Sequence, residues 1–270
     1  MNVLAILLLH SIKRVRVLVL TIAIFVALIQ VLLVQLAASL EQDGQLTQFA
    51  SLFPPFFRNL LGPGIAAFMS FDGILGLGYF HPAAIAAITA MAIAVATQLA
   101  AEVESGFSDL LLARPIARHW LVTRAVVMSI GSIAIAALAM LGGSAVGVMF
   151  MSTHAAPAWS TLTHLAANLA MVTLCWSAVA LVIASISRRR ATANGITGLL
   201  AVVAFLVDYV ARLWGPAKSI APLSPFHYFS PMETILGELP PMIDWTILTL
   251  IAMSGFAISY VLFLRRDISR

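Results

Sequence analysis

Six apolar runs, each near twenty residues and poor in charge, constrain this chain more than any other feature. They extend from about Val17 to Ala37, Pro82 to Ala101, Ala125 to Met151, Leu162 to Ser185, Gly195 to Trp214 and Trp245 to Leu264. A helix of about 20 apolar residues is what crosses the hydrocarbon of a bilayer. The expected fold is therefore an all-α polytopic membrane protein, a single domain over 1–270 with six transmembrane helices. Composition agrees: 61% of residues are hydrophobic and 10% charged, against about half and about a quarter in soluble domains. That excludes a typical soluble enzyme, a disordered chain and a compact nucleic-acid-binding domain. Trp159, Trp214 and Trp245 stand near run ends, where interfacial anchors belong.

The sparse charges test the count. With the N-terminus in the cytoplasm, the cytoplasmic segments hold twelve basic and four acidic residues, net +8. The opposite segments hold three basic and seven acidic, net −4. This is the distribution that membrane insertion selects, so both termini are expected in the cytoplasm, and the total of +4 reports topology rather than an affinity for nucleic acid. A seventh span near residues 60–80 would invert everything after it. Pro54, Pro55, Asp72 and the glycines between Gly62 and Phe80 instead suggest a surface or partly re-entrant hairpin, with a spanning helix as the alternative. Residues 1–16 join an apolar stretch to Lys13, Arg14 and Arg16, as expected of an amphipathic helix on the membrane surface and of a retained anchor rather than a cleaved signal.

Chemistry-bearing patterns are scarce. Cys175 is the only cysteine, which leaves no internal disulfide and no cysteine metal cluster. The chain has no GxxxxGK[ST] phosphate loop, no HExxH and no GxSxG elbow. His81, His154 and His164 stand at helix entrances or in a loop, where interfacial hydrogen bonding is the ordinary role. Gly143 and Gly147 form GxxxG, a close helix-packing signature. Asp208 and Arg212 lie four residues apart late in the fifth run. An isolated carboxylate is costly in lipid, so an ion pair on one helical face is expected, with guidance of a polar substrate as the alternative.

The most informative stretch connects runs two and three: AEVESGFSDLLLARPIARHWLVTR, residues 101–124. Glu102 and Glu104 mark the exit of the second helix, and Ser105–Gly106 is a break. Ser108 can cap a short helix carrying Leu110, Leu111 and Leu112, which Pro115 ends. Such a helix, apolar on one side and charged at its ends, either docks into a soluble partner or rests on lipid as a linker.

ESGFSDLLLARPIAR resembles the cytoplasmic hinge of ABC-2 type permeases, the membrane subunits of ATP-binding-cassette exporters. That hinge often reads E-x-E-S-G-T-x-E-x-L-L-S-x-P-I-S-R. Glu102, Glu104, Ser105, Gly106, Leu111, Leu112, Pro115, Ile116 and Arg118 carry the match. Phe107 replaces a common threonine and Asp109 a common glutamate. The likeness extends over nearly the whole chain: the basic N-terminal segment resembles the family's elbow, PLSPFHYFSP at 222–231 its outer loop, and RRDI at 265–268 its basic exit.

The resemblance implies a coupling helix at 104–115 and a non-catalytic permease subunit. It implies an ATP-binding subunit as partner, which would carry the ATP and Mg, and a homodimer or a pairing with a related half-transporter. Membrane lipids and accessory proteins are further expected partners, and the bacterial cytoplasmic membrane is the expected location. Glu102 and Glu104 would steady the hinge or touch the ATPase, Leu110–Leu112 would dock, and Arg114 and Arg118 would anchor. No cofactor is expected on the chain itself. Export of an amphiphile is the leading activity. A non-transporting scaffold or sensor is the alternative, and an intramembrane hydrolase a more distant one.

Overall fold

A computed structural model describes residues 3–42, 70–108, 117–151, 157–237 and 241–266. All regular structure among them is helical. The chain order is α1 (Val3–Gln42), α2 (Phe71–Phe80), α3 (Pro82–Ala96), α4 (Gln98–Glu104), α5 (His119–Met149), α6 (Trp159–Ile186) and α7 (Arg190–Leu213). Three short 3-10 turns over Gly215–Tyr228 lead to α8 (Pro231–Ile235) and α9 (Met242–Arg265). Six segments are long and apolar enough to cross a bilayer: Leu4–Glu41, Phe71–Glu104, His119–Met149, Trp159–Ile186, Arg190–Arg212 and Met242–Arg265. Among the described residues the fold is all-α with six transmembrane helices.

Local chemistry sets the breaks. Ser70 caps α2 by accepting the Gly73 N–H at 3.1 Å. His81 leaves the helical region at ψ 127°, its ring nitrogen accepts the Ala83 N–H, and Pro82 opens α3. Thr97 separates α3 from α4 and returns its hydroxyl to the Ile93 carbonyl at 2.9 Å.

Residues 3–16, the described part of the expected elbow, are continuous with the first span, since α1 is unbroken from Val3 to Gln42. No proline or glycine interrupts it before its end, and its 40 residues reach about 60 Å, beyond the roughly 30 Å of hydrocarbon. The described part of the 41–80 region, α2, does not lie on the surface. Its Ile74, Leu75 and Tyr79 are buried, it packs on α1 and α6, and it leads into the second span across the one residue His81.

The second and fourth spans form the centre, and the other four keep most of their surface outward. Leu20, Ile24, Leu28, Leu32 and Leu36 make an exposed stripe along α1, the period of one helical face. α1 and α5 pack side by side and parallel. The Cβ that Gly143 lacks would fall 2.4 Å from the Ala27 carbonyl oxygen, and the Gln35 amide donates to the Gly147 carbonyl at 2.9 Å. Only a residue without a side chain permits that approach. α6 and α9 also run parallel, joined by the Cys175 thiol donating to the Leu248 carbonyl and by Gly255 against Ala178.

These pairings collect Arg14, Arg118, Arg124, Arg190 and Arg266 at one end of the bundle. Asp72 lies at the opposite end against the start of α6, accepting the Ala158 N–H at 3.0 Å, and Asp208 lies at the same end.

Candidate functional site

The hinge begins where α4 ends. Glu102 is 1% exposed and Arg124 of α5 is 2% exposed. They form a buried, hydrogen-bonded ion pair. Arg14 of α1 approaches the same carboxylate at 3.8 Å from a more exposed position. Removing one partner from such a pair leaves the other charge buried and uncompensated, so the pair ties α4 firmly to α5. Glu104 stands two residues on, on another side of the turn, and accepts the backbone N–H of Arg190 at 2.9 Å. That N–H opens α7, where a carboxylate is favoured by the unpaired amides and the helix dipole. The Arg190 guanidinium reaches back to the Ala94 carbonyl at 3.2 Å.

The chain then turns. The Ser105 hydroxyl donates to the Glu102 carbonyl at 3.3 Å, and Gly106 takes φ 71°, a left-handed conformation that suits glycine. Phe107 follows, stacked on His10 at 5.1 Å and facing the Arg14 guanidinium at 5.6 Å. The entry of the hinge is thus held by α1, α5 and α7 together. Its exit is held by Arg118, which donates to the Arg266 carbonyl at 2.9 Å. Arg266 in turn donates to the Ser185 carbonyl at 3.0 Å. Burial, and then the like charge of Arg188, push Arg266 below the ordinary guanidinium value. Asp109, Leu110, Leu111, Leu112, Arg114 and Pro115 lie outside the described residues.

Several of these partners were not legible as a site. Arg124 reads in the sequence as a topology charge, and its partner is 22 residues away. Phe107 reads as a departure from the family pattern, yet it is the ring on which two α1 side chains rest. Arg190 reads as one of three anchoring arginines.

At the other end, Asp208 is 6% exposed. The Arg212 Nε donates to its carboxylate at 2.9 Å, and a second Arg212 nitrogen donates to the Phe229 carbonyl at 3.3 Å. His227 Nδ1 lies 3.6 Å from the same carboxylate. His227 belongs to the 3-10 turns over Gly215–Tyr228, which Ser224 ties to α7 by donating to the Ala204 carbonyl at 2.9 Å. Phe226 from these turns packs between Trp176 and Phe205. It also walls an apolar groove of about 390 Å³ between α3 and α7, lined by Ile85, Thr89, Ile93, Val202 and Phe205. A second hollow of about 300 Å³ shares Pro82, Ile85, Phe205 and Phe226 with it and contains Asp208 and Arg212. An apolar slot therefore opens onto a charged mouth. Among the described residues, no cluster of three His, Cys, Asp or Glu could hold a metal ion.

Both described ends of the segment between the second and third spans are thus tied to neighbouring helices. The chain matches the ABC-2 family transporter protein description over residues 1–268. It belongs to that family. No curated protein and no solved structure matches it. As an ABC-2 family transporter protein the chain is a non-catalytic, multi-pass permease domain, and its membership implies a cognate ABC ATPase.

Proposed function

We propose that this permease is the membrane half of an ATP-driven exporter, working as a dimer in the bacterial cytoplasmic membrane with both termini cytoplasmic. The observation that carries the reading is the double anchoring of the hinge. The coupling helix expected at 104–115 would start only after the turn at Ser105–Gly106 that ends α4, with Leu110, Leu111 and Leu112 seated in the ATPase and Arg114 and Arg118 at its rim. ATP and Mg would be held by the ATPase subunits. Their closure would press on the coupling helix. Glu102, through Arg124 and Arg14, would pass that movement to α5 and α1. Glu104 would pass it to the first residue of α7. α7 reaches the Asp208–Arg212 pair at its far end, so one rigid element would link the hinge to the outer mouth. Hydrolysis and product release on the ATPase would reset the position.

The groove between α3 and α7 supports an amphiphile as cargo, because its walls are apolar and its mouth is charged. The test uses Leu111→Asp, which places a charge in the docking face and leaves the described anchors intact. The variant is expected to insert and fold normally, to lose its ATPase on gentle purification, and to lose ATP-dependent cargo movement after reconstitution. Wild-type retention of both would refute the coupling role. Assembly without any ATP-dependent movement by the wild type would favour a scaffold instead.

A further inference from the structure

A second groove, of about 390 Å³, lies between α1 and α5 and plays no part in the coupling just described. Leu8, Ile12, Val19, Val127 and Ile135 wall it, and Gly131 opens it, since a Cβ on that glycine would meet nothing within 4 Å. Arg16 also lines the groove. Lys13 stands one turn before it on the same side of α1. Neither forms an ion pair with a described residue. Arg14 between them is turned to Glu102 and Phe107 instead. Helix α1 thus divides its basic residues, one to the hinge and two to the groove side.

Depth identifies the occupant. Arg16 is the last charge before an uncharged stretch that continues from Val17 to Leu40. That stretch is long enough to fill the hydrocarbon of a bilayer, which leaves Arg16 at the level of the headgroups. The groove wall then passes from that level into the apolar zone at Val19, Gly131 and Ile135. The groove runs past Arg16 both ways, outward to Leu8 and Ile12 and inward to Val19, Leu20 and Ile135; its inner arm, apolar and headed by a cation at headgroup depth, complements a lipid that has an acyl chain and an anionic phosphate.

We propose that this groove binds an anionic phospholipid of the cytoplasmic leaflet, one acyl chain lying between α1 and α5 and the phosphate held by Arg16 and Lys13. The lipid packs α1 against α5 on the side away from Glu102, and so steadies the helix on which Phe107 rests. The leaflet rests on the topology proposed above; the binding itself does not.

The experiment uses the full chain, purified in detergent, and phosphatidylglycerol carrying a diazirine near the end of one acyl chain. Phosphatidylcholine with the same chain is the comparison, and glycerol phosphate the competitor. Illumination followed by mass spectrometry is expected to map label to the inner wall of the groove and the helix faces that continue it, from residue 19 on α1 and residue 131 on α5 inward. Each basic residue near the surface contributes about fivefold to binding, so phosphatidylglycerol should label at least about fivefold more than phosphatidylcholine. Gly131→Leu fills the slot and should abolish labelling there. Lys13→Gln with Arg16→Gln should bring phosphatidylglycerol down to the phosphatidylcholine level while the thermal midpoint confirms folding. Excess glycerol phosphate should not compete. Equal labelling by both lipids, or labelling unchanged in either variant, would overturn the proposal. Full competition by glycerol phosphate would also overturn it, assigning Arg16 to a soluble anion. Labelling of these residues in the monomer fraction but not in the dimer fraction would overturn the proposal and assign the groove to a second copy. Lipid labelling does not depend on the ATPase, so its failure would leave the coupling reading untouched.

Discussion

Glu102 and Glu104 are chemically alike and two residues apart, yet α4 turns them to different tasks. Glu102 points inward to a buried arginine, and Glu104 meets a helix N-terminus at the surface. The consequence is measurable. Glu102→Ala strands Arg124 in the interior and should cost about 3–5 kcal/mol, read as a large fall in the thermal midpoint in detergent. Glu102→Leu combined with Arg124→Met replaces both charges and should recover most of that loss. Glu104→Ala should cost no more than about 1 kcal/mol, since it loses only an exposed helix-terminus interaction. A larger loss from Glu104→Ala than from Glu102→Ala would contradict this division. The sequence offered both glutamates as hinge residues, and only their partners distinguish them.

At the scale of elements, the pairing of α1 with α5 turns on one face of α5. Gly142 and Gly143 are neighbours, but a Cβ at Gly142 meets nothing while one at Gly143 meets backbone. Gly143→Ala should force the helices apart and destabilise by about 1–3 kcal/mol. Gly142→Ala should be neutral, or stabilising by up to about 1 kcal/mol from helix propensity. Thermal midpoints of the two variants, measured side by side, check this. The spacing of Gly143 and Gly147 signals close packing on its own; that α1 is the partner follows only from the assembled bundle. The same scale explains the N-terminal continuity. An amphipathic segment reads as a surface helix when taken alone, but residues 3–42 contain nothing that stops a helix, so the segment continues into the span.

For the whole molecule, the alternation of six spans puts the basic and acidic ends apart. Cys175 is fully buried, which makes single-cysteine mapping straightforward in a Cys175→Ala background. Leu223→Cys lies in the 3-10 turns at a strongly exposed position, and Arg189→Cys lies at the opposite end of the bundle beside α7. A membrane-impermeant maleimide applied to intact cells should label Leu223→Cys. It should label Arg189→Cys only after permeabilisation. The reverse order would invert the topology and the proposed direction of coupling.

The apolar runs by themselves determined the helices and the six spans found among the described residues, because lipid tolerates no unpaired backbone and a span has a fixed length. The family was likewise legible by itself, through the motif at residues 102–118. Tertiary structure alone decided which charges meet. Arg124 with Glu102, Arg190 with Glu104 and His227 with Asp208 join distant parts of the chain, and no helical period links such positions. It also decided that α2 is buried and that Phe107 is a contact rather than a loss, since burial depends on what the neighbouring helices bring.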